Sequence, residues 1–553
     1  MEQKQIPIGK LLQEAGYINQ EQIEVALNVQ KADRLLLGEI LQNLDFVTPT
    51  EIAIAVARQY GFDYVDLDEK LVTNEALSIV PFEMAQSKMI LPMHIKDGEL
   101  VVAVDSVNDY DTIDYLKTVS TLPIKYVVAD KNKIEQKIEL KYYQFHNPID
   151  KQIETMVDAF VANEEVEIVE LVKLILNDAI KDGATDIHIT PDVKVLYVFY
   201  RIDGVLHLSY TIPKVAMQQI SSRIKILSKM DISEQRLPQD GGFSHEFIGS
   251  RFDLRVSTIP TDNGENIVMR ILSSDTASFN LGSLGFEDDE AAKLKELFNK
   301  PYGIVLVTGP TGSGKTTTLY SLLRHINFIE KNVITIEDPI EYRFSFIRQT
   351  EVNLKSGYTF DRAIRHFMRQ DPDAMLVGEM RDEETAELAV RAAITGHLVL
   401  STLHTNDAAG AIPRLLDLGV KDYLISSSVL AILAQRLVRR LCPSCKEPVQ
   451  VTQDDLVDLG FEREWLDTST DEYFIFKEVG CDLCKKTGYK GREAIIEILT
   501  ITDEIKEMIN GKKSPLEIFR KAQDEGMRSL KQNAVRKVLQ GKTSLNEIKR
   551  VII

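Results

Sequence analysis

Between residues 304 and 325 the chain reads, in order, a run of four apolar residues (Ile304-Val-Leu-Val307), a glycine-rich turn (Gly309-Pro-Thr-Gly-Ser-Gly-Lys315-Thr316) and a helical stretch from Thr317 to His325. An apolar strand feeding such a turn, with a helix directly after it, is a complete phosphate-binding unit: both the spacing and the flanking context are met. Glycines let successive backbone N–H groups converge on one anion at a helix N-terminus, where the dipole favours negative charge. A lysine at position 315 then faces β- and γ-oxygens of a nucleotide, and the Thr316 hydroxyl is placed for Mg²⁺. The candidate nucleotide-binding set is therefore Gly309, Pro310, Thr311, Gly312, Ser313, Gly314, Lys315, Thr316 and Thr317.

The residues that follow fit the same architecture. Apolar runs at Val333-Ile-Thr-Ile336, Ala374-Met-Leu-Val377 and Leu398-Val-Leu-Ser401 alternate with helical stretches, which predicts a mostly parallel sheet covered by helices. Two of these runs end in carboxylates, Glu337-Asp338-Pro339-Ile340-Glu341 and Gly378-Glu379-Met380-Arg381-Asp382. Ligands of α/β folds collect at that edge of the sheet, where a carboxylate can hold a metal-bound water or orient the attacking one. The third run carries a histidine at each end, His397 and His404. His404, on the C-terminal side with the other site groups, is the one placed to sense a γ-phosphate.

At 553 residues the chain exceeds what one hydrophobic core supports, so three or four domains are expected. Residues 1 to about 140 hold an internal repeat with an offset of 29: Ile8-Gly9-Lys10-Leu11-Leu12-Gln13 aligns with Leu37-Gly38-Glu39-Ile40-Leu41-Gln42, and Ala26, Leu27 and Gln30 align with Ala55, Val56 and Gln59. Each copy reads as two short helices, the second opening at Asn19 or Thr48 with a capping-box pattern. Strands are expected at 89–92 and 99–104, and the polar stretch 141–165 reads as a linker with some helix. From 166 a helix at 169–179, strands at 186–189, 195–201, 251–254 and 266–272, and a helix at 217–229 describe an α+β domain. The net charge of -19 argues against nucleic acid or bare anionic lipid as the main partner. No apolar signal core follows the first residues and no apolar run reaches 18 residues uninterrupted by charge, so a cytoplasmic protein is expected.

All four cysteines fall in two pairs, Cys442-Pro-Ser-Cys445 and Cys481-Asp-Leu-Cys484. Two such knuckles supply the four thiolates of a closed, tetrahedral structural Zn²⁺ site. Redox pairs are the alternative, although these usually occur singly at the start of a helix. The 35 residues between the knuckles (446–480) call for a folded insert.

Together these residues resemble the type II secretion and type IV pilus assembly ATPases. The phosphate loop, Ile336-Glu-Asp-Pro-Ile-Glu341 as an aspartate box, Val377-Gly-Glu379-Met-Arg-Asp as an atypical Walker B and Gly396-His-Leu-Val-Leu-Ser-Thr-Leu-His404 as a histidine box occur in that family's order, and Ala184-Thr-Asp-Ile-His188 and Tyr200-Arg-Ile-Asp-Gly204 resemble its second N-terminal domain. The resemblance implies an α/β multidomain chain: a helical, MshEN-like repeat domain (1–140), a linker (141–165), a PAS-like α+β domain (166–278) and a RecA-like P-loop ATPase domain (279–553) with a tetracysteine zinc insert (436–492). It further implies ATP, Mg²⁺ and Zn²⁺, catalytic roles for Glu341, Glu379, Lys315 and His404, and nucleotide-contacting roles for Arg255 and Arg270. A homo-hexameric ring at the inner face of the cytoplasmic membrane would act on a platform protein and, through it, on pilin or pseudopilin. A nucleotide- or second-messenger-sensing regulator of the same machinery is the alternative, and a DNA-translocating motor fits the acidic balance poorly.

Some MshEN-type domains bind cyclic di-GMP through paired Arg-Leu-Gly motifs. Here Gly9, Leu12, Leu27 and Gln30 fit one copy and Gly38, Leu41, Val56 and Gln59 the other, but Pro7 and Leu36 stand where the arginines belong, and Arg34 is displaced by two residues. Neither proline nor leucine can stack on guanine or fork onto phosphate as a guanidinium does. Calorimetric titration with cyclic di-GMP is therefore expected to show no binding at or below about 1 μM, roughly -8 kcal/mol; a tighter complex would show that the arginines are dispensable.

Overall fold

The computed structural model describes residues 6–33, 35–106, 110–162, 164–273, 281–326, 328–458, 461–466 and 472–552. The expected 278/279 boundary and Arg34 lie outside them. By internal contacts the chain forms two compact units, Met1–Leu11 with Pro49–Thr276, and Leu12–Thr48 with Ala277–Ile553. Among the described residues no helix is long and apolar enough to cross a membrane.

The repeat is present as read. Helices Ile8–Glu14 and Gln20–Ala32 recur at Leu37–Asn43 and Pro49–Tyr60, and Asn19 closes a reciprocal capping box with Gln22. The closing glutamines work across the copies: Gln30 donates to the Leu35 carbonyl at 3.0 Å and Gln59 to the Ile6 carbonyl at 2.6 Å. The expected single domain over 1–140 is nevertheless divided between the two units. The reason lies in the turn after Leu37–Asn43. Asp45, in the left-handed region at φ 55°, accepts hydrogen bonds from the Ser345 backbone and hydroxyl (3.0 and 2.7 Å), and Phe46 stacks on Phe346 at 5.6 Å.

In the first unit a hairpin, Ile90–Lys96 with Glu99–Val104, takes Ile124–Val128 as a parallel third strand. Helix Lys131–His146 buries Ile134, Ile138 and Tyr142, a stripe at i, i+4 and i+8. The stretch expected to be a linker with some helix holds the end of that helix followed by helix Ile149–Val161. The second helix carries an apolar stripe: Ile149 and Ile153 are buried, and Met156, Val157 and Phe160 pack partly buried, in one cluster with Leu171, Ile175 and Tyr200. That cluster underlies a six-stranded antiparallel sheet ordered Val205–Pro213, Val195–Ile202, Asp186–Pro191, Gly264–Ser273, Ser250–Thr261 and Gln239–Phe247, with helices Ile168–Lys181 and Met217–Leu227 packed on it.

The second unit is built on a seven-stranded sheet ordered Arg348–Glu351, Val333–Glu337, Ala374–Val377, Leu398–Leu403, Gly303–Thr308, Val429–Leu441 and Tyr489–Thr500. Every neighbouring pair is parallel except the last. Strand Gly303–Thr308 is buried along its whole length, as a central parallel strand must be. Its side chains alternate: Ile304 and Leu306 enter the core with helices Phe360–Phe367 and Glu383–Ile394, and Val305 and Val307 the core with helix Lys315–Leu323. Between the cysteine pairs lies a folded insert, with hairpin strands Glu447–Thr452 and Glu472–Lys477 and a helix Gln453–Asp458.

If helix 149–161 is a packed element, wild-type protein resists trypsin at Lys151, and Ile153→Asp, which places a carboxylate at a fully buried position at a cost on the order of 4 kcal/mol, opens that bond to rapid cleavage. Equal cleavage of both would show the segment to be a loose connector.

Candidate functional site

The glycine-rich turn leaves its buried strand and enters helix Lys315–Leu323 with Gly314 in the left-handed region at φ 85°. Lys315 curls back, its Nζ donating to the Gly309 and Pro310 carbonyls at 2.9 and 3.1 Å. Those carbonyls hold the ammonium at the mouth of the loop, and burial depresses its pKa while Glu379 opposes that depression.

Parallel register brings the other groups to the same edge. Thr308 stands beside Leu403 on one side and Ala434 on the other, so Gly309, His404 and Gln435 form the next row. Thr308 Oγ1 lies 2.7 Å from Thr405 Oγ1 and accepts the Thr405 N–H at 2.8 Å, which ties the turn after His404 to the start of the phosphate loop. His404 Nε2 sits 3.6 Å from Glu379 Oε2, whose carboxylate is 12% exposed and also pairs with Arg381 at 2.5 Å. Burial, then the Lys315 charge, lowers the His404 pKa, with Glu379 acting the other way. Lys315, Glu379 and His404 thus belong to one electrostatic cluster. His397 does not: its Nδ1 lies 2.8 Å from the Ala392 carbonyl and caps the preceding helix.

Glu341 lies on the surface of the segment after strand Val333–Glu337, its N–H 3.4 Å from the Tyr320 hydroxyl. The buried carboxylate of that segment is Glu337. It accepts from Tyr320 of the phosphate-loop helix, from Thr335 at 2.6 Å and from Gln349 at 3.2 Å; burial raises its pKa against those hydrogen bonds. Arg255 and Arg270 belong to the first unit, where they are a cross-strand pair with exposed side chains, and Arg270 Nε donates to Asp186 at 2.9 Å. Sequence reasoning missed the roles of Glu337, Tyr320 and Gln435. The last carried a readable signal, since a lone amide between the apolar run 429–434 and the strand's later apolar residues must find a buried partner.

The four cysteines converge. Their sulfurs lie within 4.8 Å of one another, with Cys442–Cys481, Cys445–Cys484 and Cys481–Cys484 separations of 3.7, 3.8 and 3.8 Å. Tetrahedral zinc with Zn–S of about 2.3 Å requires sulfurs about 3.8 Å apart, so the donor set fits the ion. Three backbone N–H groups point at these sulfurs: Gly480 at Cys445 (3.3 Å), and Cys481 and Gly488 at Cys484 (3.1 and 3.2 Å). For Cys484, burial opposes ionisation, but the Cys481 and Gly488 N–H groups, helped by the neighbouring Cys445 and Cys481 thiols, overcome it and bring the thiol down to about 7. The cluster joins two paired strands, since Cys442 follows Leu441, Leu441 pairs with Tyr489, and the Cys442 N–H donates to Gly488 at 2.9 Å.

A mostly parallel sheet with a glycine loop at a buried interior strand and an acidic residue and a histidine on neighbouring strand ends defines a P-loop nucleotide-binding protein. Residues 161–550 match the Type II/IV secretion system protein family and residues 60–146 the MshEN domain. The chain is 39% identical over 558 residues to the type IV pilus assembly ATPase PilB of Myxococcus xanthus, covering 98% of each, and 45% identical over 394 residues to the type II secretion system protein E of Aeromonas hydrophila, covering 71% of this chain and 77% of that one. The X-ray structure of the Legionella pneumophila ATPase DotB shares the fold, with a TM-score of 0.50 at 21% identity over 68% of this chain and 94% of that one. The chain belongs to the type II/IV secretion system protein family.

Purified protein is expected to carry about one equivalent of zinc. Cys481→Ser should lose it and expose the 447–477 hairpin to protease while nucleotide affinity is kept. Less than about half an equivalent in the wild type would contradict the assignment.

Proposed function

We propose that this chain is an ATPase that hydrolyses ATP to ADP and phosphate and powers assembly of pilin or pseudopilin subunits, in type IV pilus extension or type II secretion. The observation that carries this reading is the cluster of Lys315, Glu379 and His404 at one sheet edge beside the phosphate loop. Lys315 exchanges two loop carbonyls for phosphate oxygens when nucleotide enters. Glu379, shielded from bulk water, orients the attacking water, and His404 reports the γ-phosphate to it. Glu341 acts with Glu379 as a second catalytic carboxylate. The Thr316 hydroxyl would hold Mg²⁺, which supplies charge neutralisation at the β- and γ-oxygens. A role for Arg255 and Arg270 toward nucleotide rests on the family motif. The ring is a homo-hexamer, its partner an inner-membrane platform protein, and its place the cytoplasmic face of that membrane; nucleic acid is not a substrate.

Lys315→Ala is expected to abolish hydrolysis and weaken nucleotide binding, since the ammonium acts already in the ground state. Glu379→Gln should keep ATP bound within about threefold of wild type and lower kcat by at least about a hundredfold, because its carboxylate acts mainly in the transition state. Phosphate release measured with and without DNA should be unchanged by DNA. Wild-type turnover in the Gln variant would remove Glu379 from the mechanism, and binding without turnover in the wild type would favour a nucleotide-sensing regulator.

A further inference from the structure

Strand Val429–Leu441 borders the phosphate loop and contributes one polar side chain to it, Gln435, which is 2% exposed. Its Nε2 donates to the Ser313 carbonyl at 2.7 Å, and its Oε1 accepts the Thr318 hydroxyl at 2.7 Å. A carbonyl can only accept, so the Ser313 contact fixes which end of the amide faces the loop. One side chain thereby joins the crown of the loop to the first turn of the helix whose N–H groups line it. The fit is close on the backbone side as well. A Cβ at Gly309 would stand 2.3 Å from the Gln435 carbonyl oxygen, and one at Gly314 would stand 2.9 Å from Gln435 Nε2. Gly309 is therefore demanded by the backbone of residue 435 as well as by its own backbone angle, a side chain at Gly314 would have to displace the Gln435 amide, and the loop is moulded against this strand.

We infer that Gln435 is the positioning residue of the phosphate loop: its amide holds the Ser313 carbonyl turned away from the phosphate site, so that the loop N–H groups are aimed at phosphate. This rests on the nucleotide-binding reading of the loop and adds to it the group that preorganises it. Without the amide donor, the Ser313 carbonyl is buried with no partner in the present conformation. The loop then relaxes, and nucleotide must reorder it on binding. The loss falls equally on bound substrate and transition state, so it appears in KM and in affinity but not in kcat.

The test uses the full chain. Gln435→Met keeps length and packing while deleting both polar contacts, and Thr318→Val deletes one. Calorimetric titration with Mg-ADP is expected to give a dissociation constant at least tenfold higher for Gln435→Met, about 1.4 kcal/mol. KM for ATP should rise in step, with kcat at saturation within threefold of wild type. Thr318→Val should move affinity in the same direction by less, and the double variant should be no weaker than Gln435→Met alone, because both changes remove one connected unit. Affinity of Gln435→Met within twofold of wild type, or a fall in kcat with KM unchanged, overturns the inference. If Gln435→Met does not fold, Thr318→Val decides it, and affinity within about 1.5-fold of wild type overturns it. A wild-type chain that binds no Mg-ADP overturns instead the nucleotide reading on which the inference rests.

Discussion

The placement of the site depends on the parallel pairing of strand Gly303–Thr308 between Leu398–Leu403 and Val429–Leu441. All six of its residues are buried, so a slip of one residue would turn Ile304 and Leu306 toward the wrong core, and the register is fixed by that cost. Once it is fixed, the residues following Thr308, Leu403 and Ala434 must lie side by side. They are Gly309, His404 and Gln435: the loop that binds, the histidine that senses and the amide that holds the loop. Glu379 arrives by the same logic one strand further out, two residues beyond Val377, which pairs with Ser401.

Much of this was legible because the physics is local. The phosphate loop shows in sequence since its glycines, lysine and threonine are close along the chain, and the zinc cluster shows since each CxxC is a local device. Residues that act through partners remote in sequence left weaker marks. Glu337 and Tyr320 lie 17 positions apart, and Gln435 reaches Ser313 across 122, so the local sequence can at most say that a partner is needed, not which residue it is. Strand Gln239–Phe247 reads QDGGFSHEF, with two glycines and no apolar run. It is a strand because its neighbour Ser250–Thr261 offers an edge to pair with, not because of its own propensity. Helix 149–161 was legible only as some helix within a linker: its apolar stripe is correctly spaced, but the polar residues at its two ends, Asn147-Pro148 and Asn163-Glu164-Glu165, give the stretch as a whole the look of a connector.

Strand Val429–Leu441 also links the two sites that local motifs made visible. Gln435 lies on it at the phosphate loop, and the residue after its last position is Cys442. The far end is fastened by the cysteine cluster and, nearer the C-terminus, by the buried Glu547, which accepts from the Arg439 N–H at 3.0 Å and its guanidinium at 2.9 and 2.8 Å. On the other flank, the segment carrying Glu341 is held by Tyr320 from the phosphate-loop helix and by Asp45 and Phe46 from the N-terminal repeat. The site is therefore surrounded by polar ties, some of them buried. Such ties fix a conformation more than they add stability, because each hydrogen bond mainly replaces one made to water.

The central claim is that three neighbouring strands set by one register form a phosphate site whose loop is held in shape by Gln435. An experimental structure of the full chain with Mg²⁺ and a non-hydrolysable ATP analogue tests it most directly. The account predicts the triphosphate on the loop N–H groups, the Lys315 ammonium moved from the Gly309 and Pro310 carbonyls onto phosphate oxygens, and the contact of Gln435 with Ser313 unchanged from 2.7 Å. A nucleotide bound away from the loop, or a loop refolded with the Ser313 carbonyl released from Gln435, would contradict it.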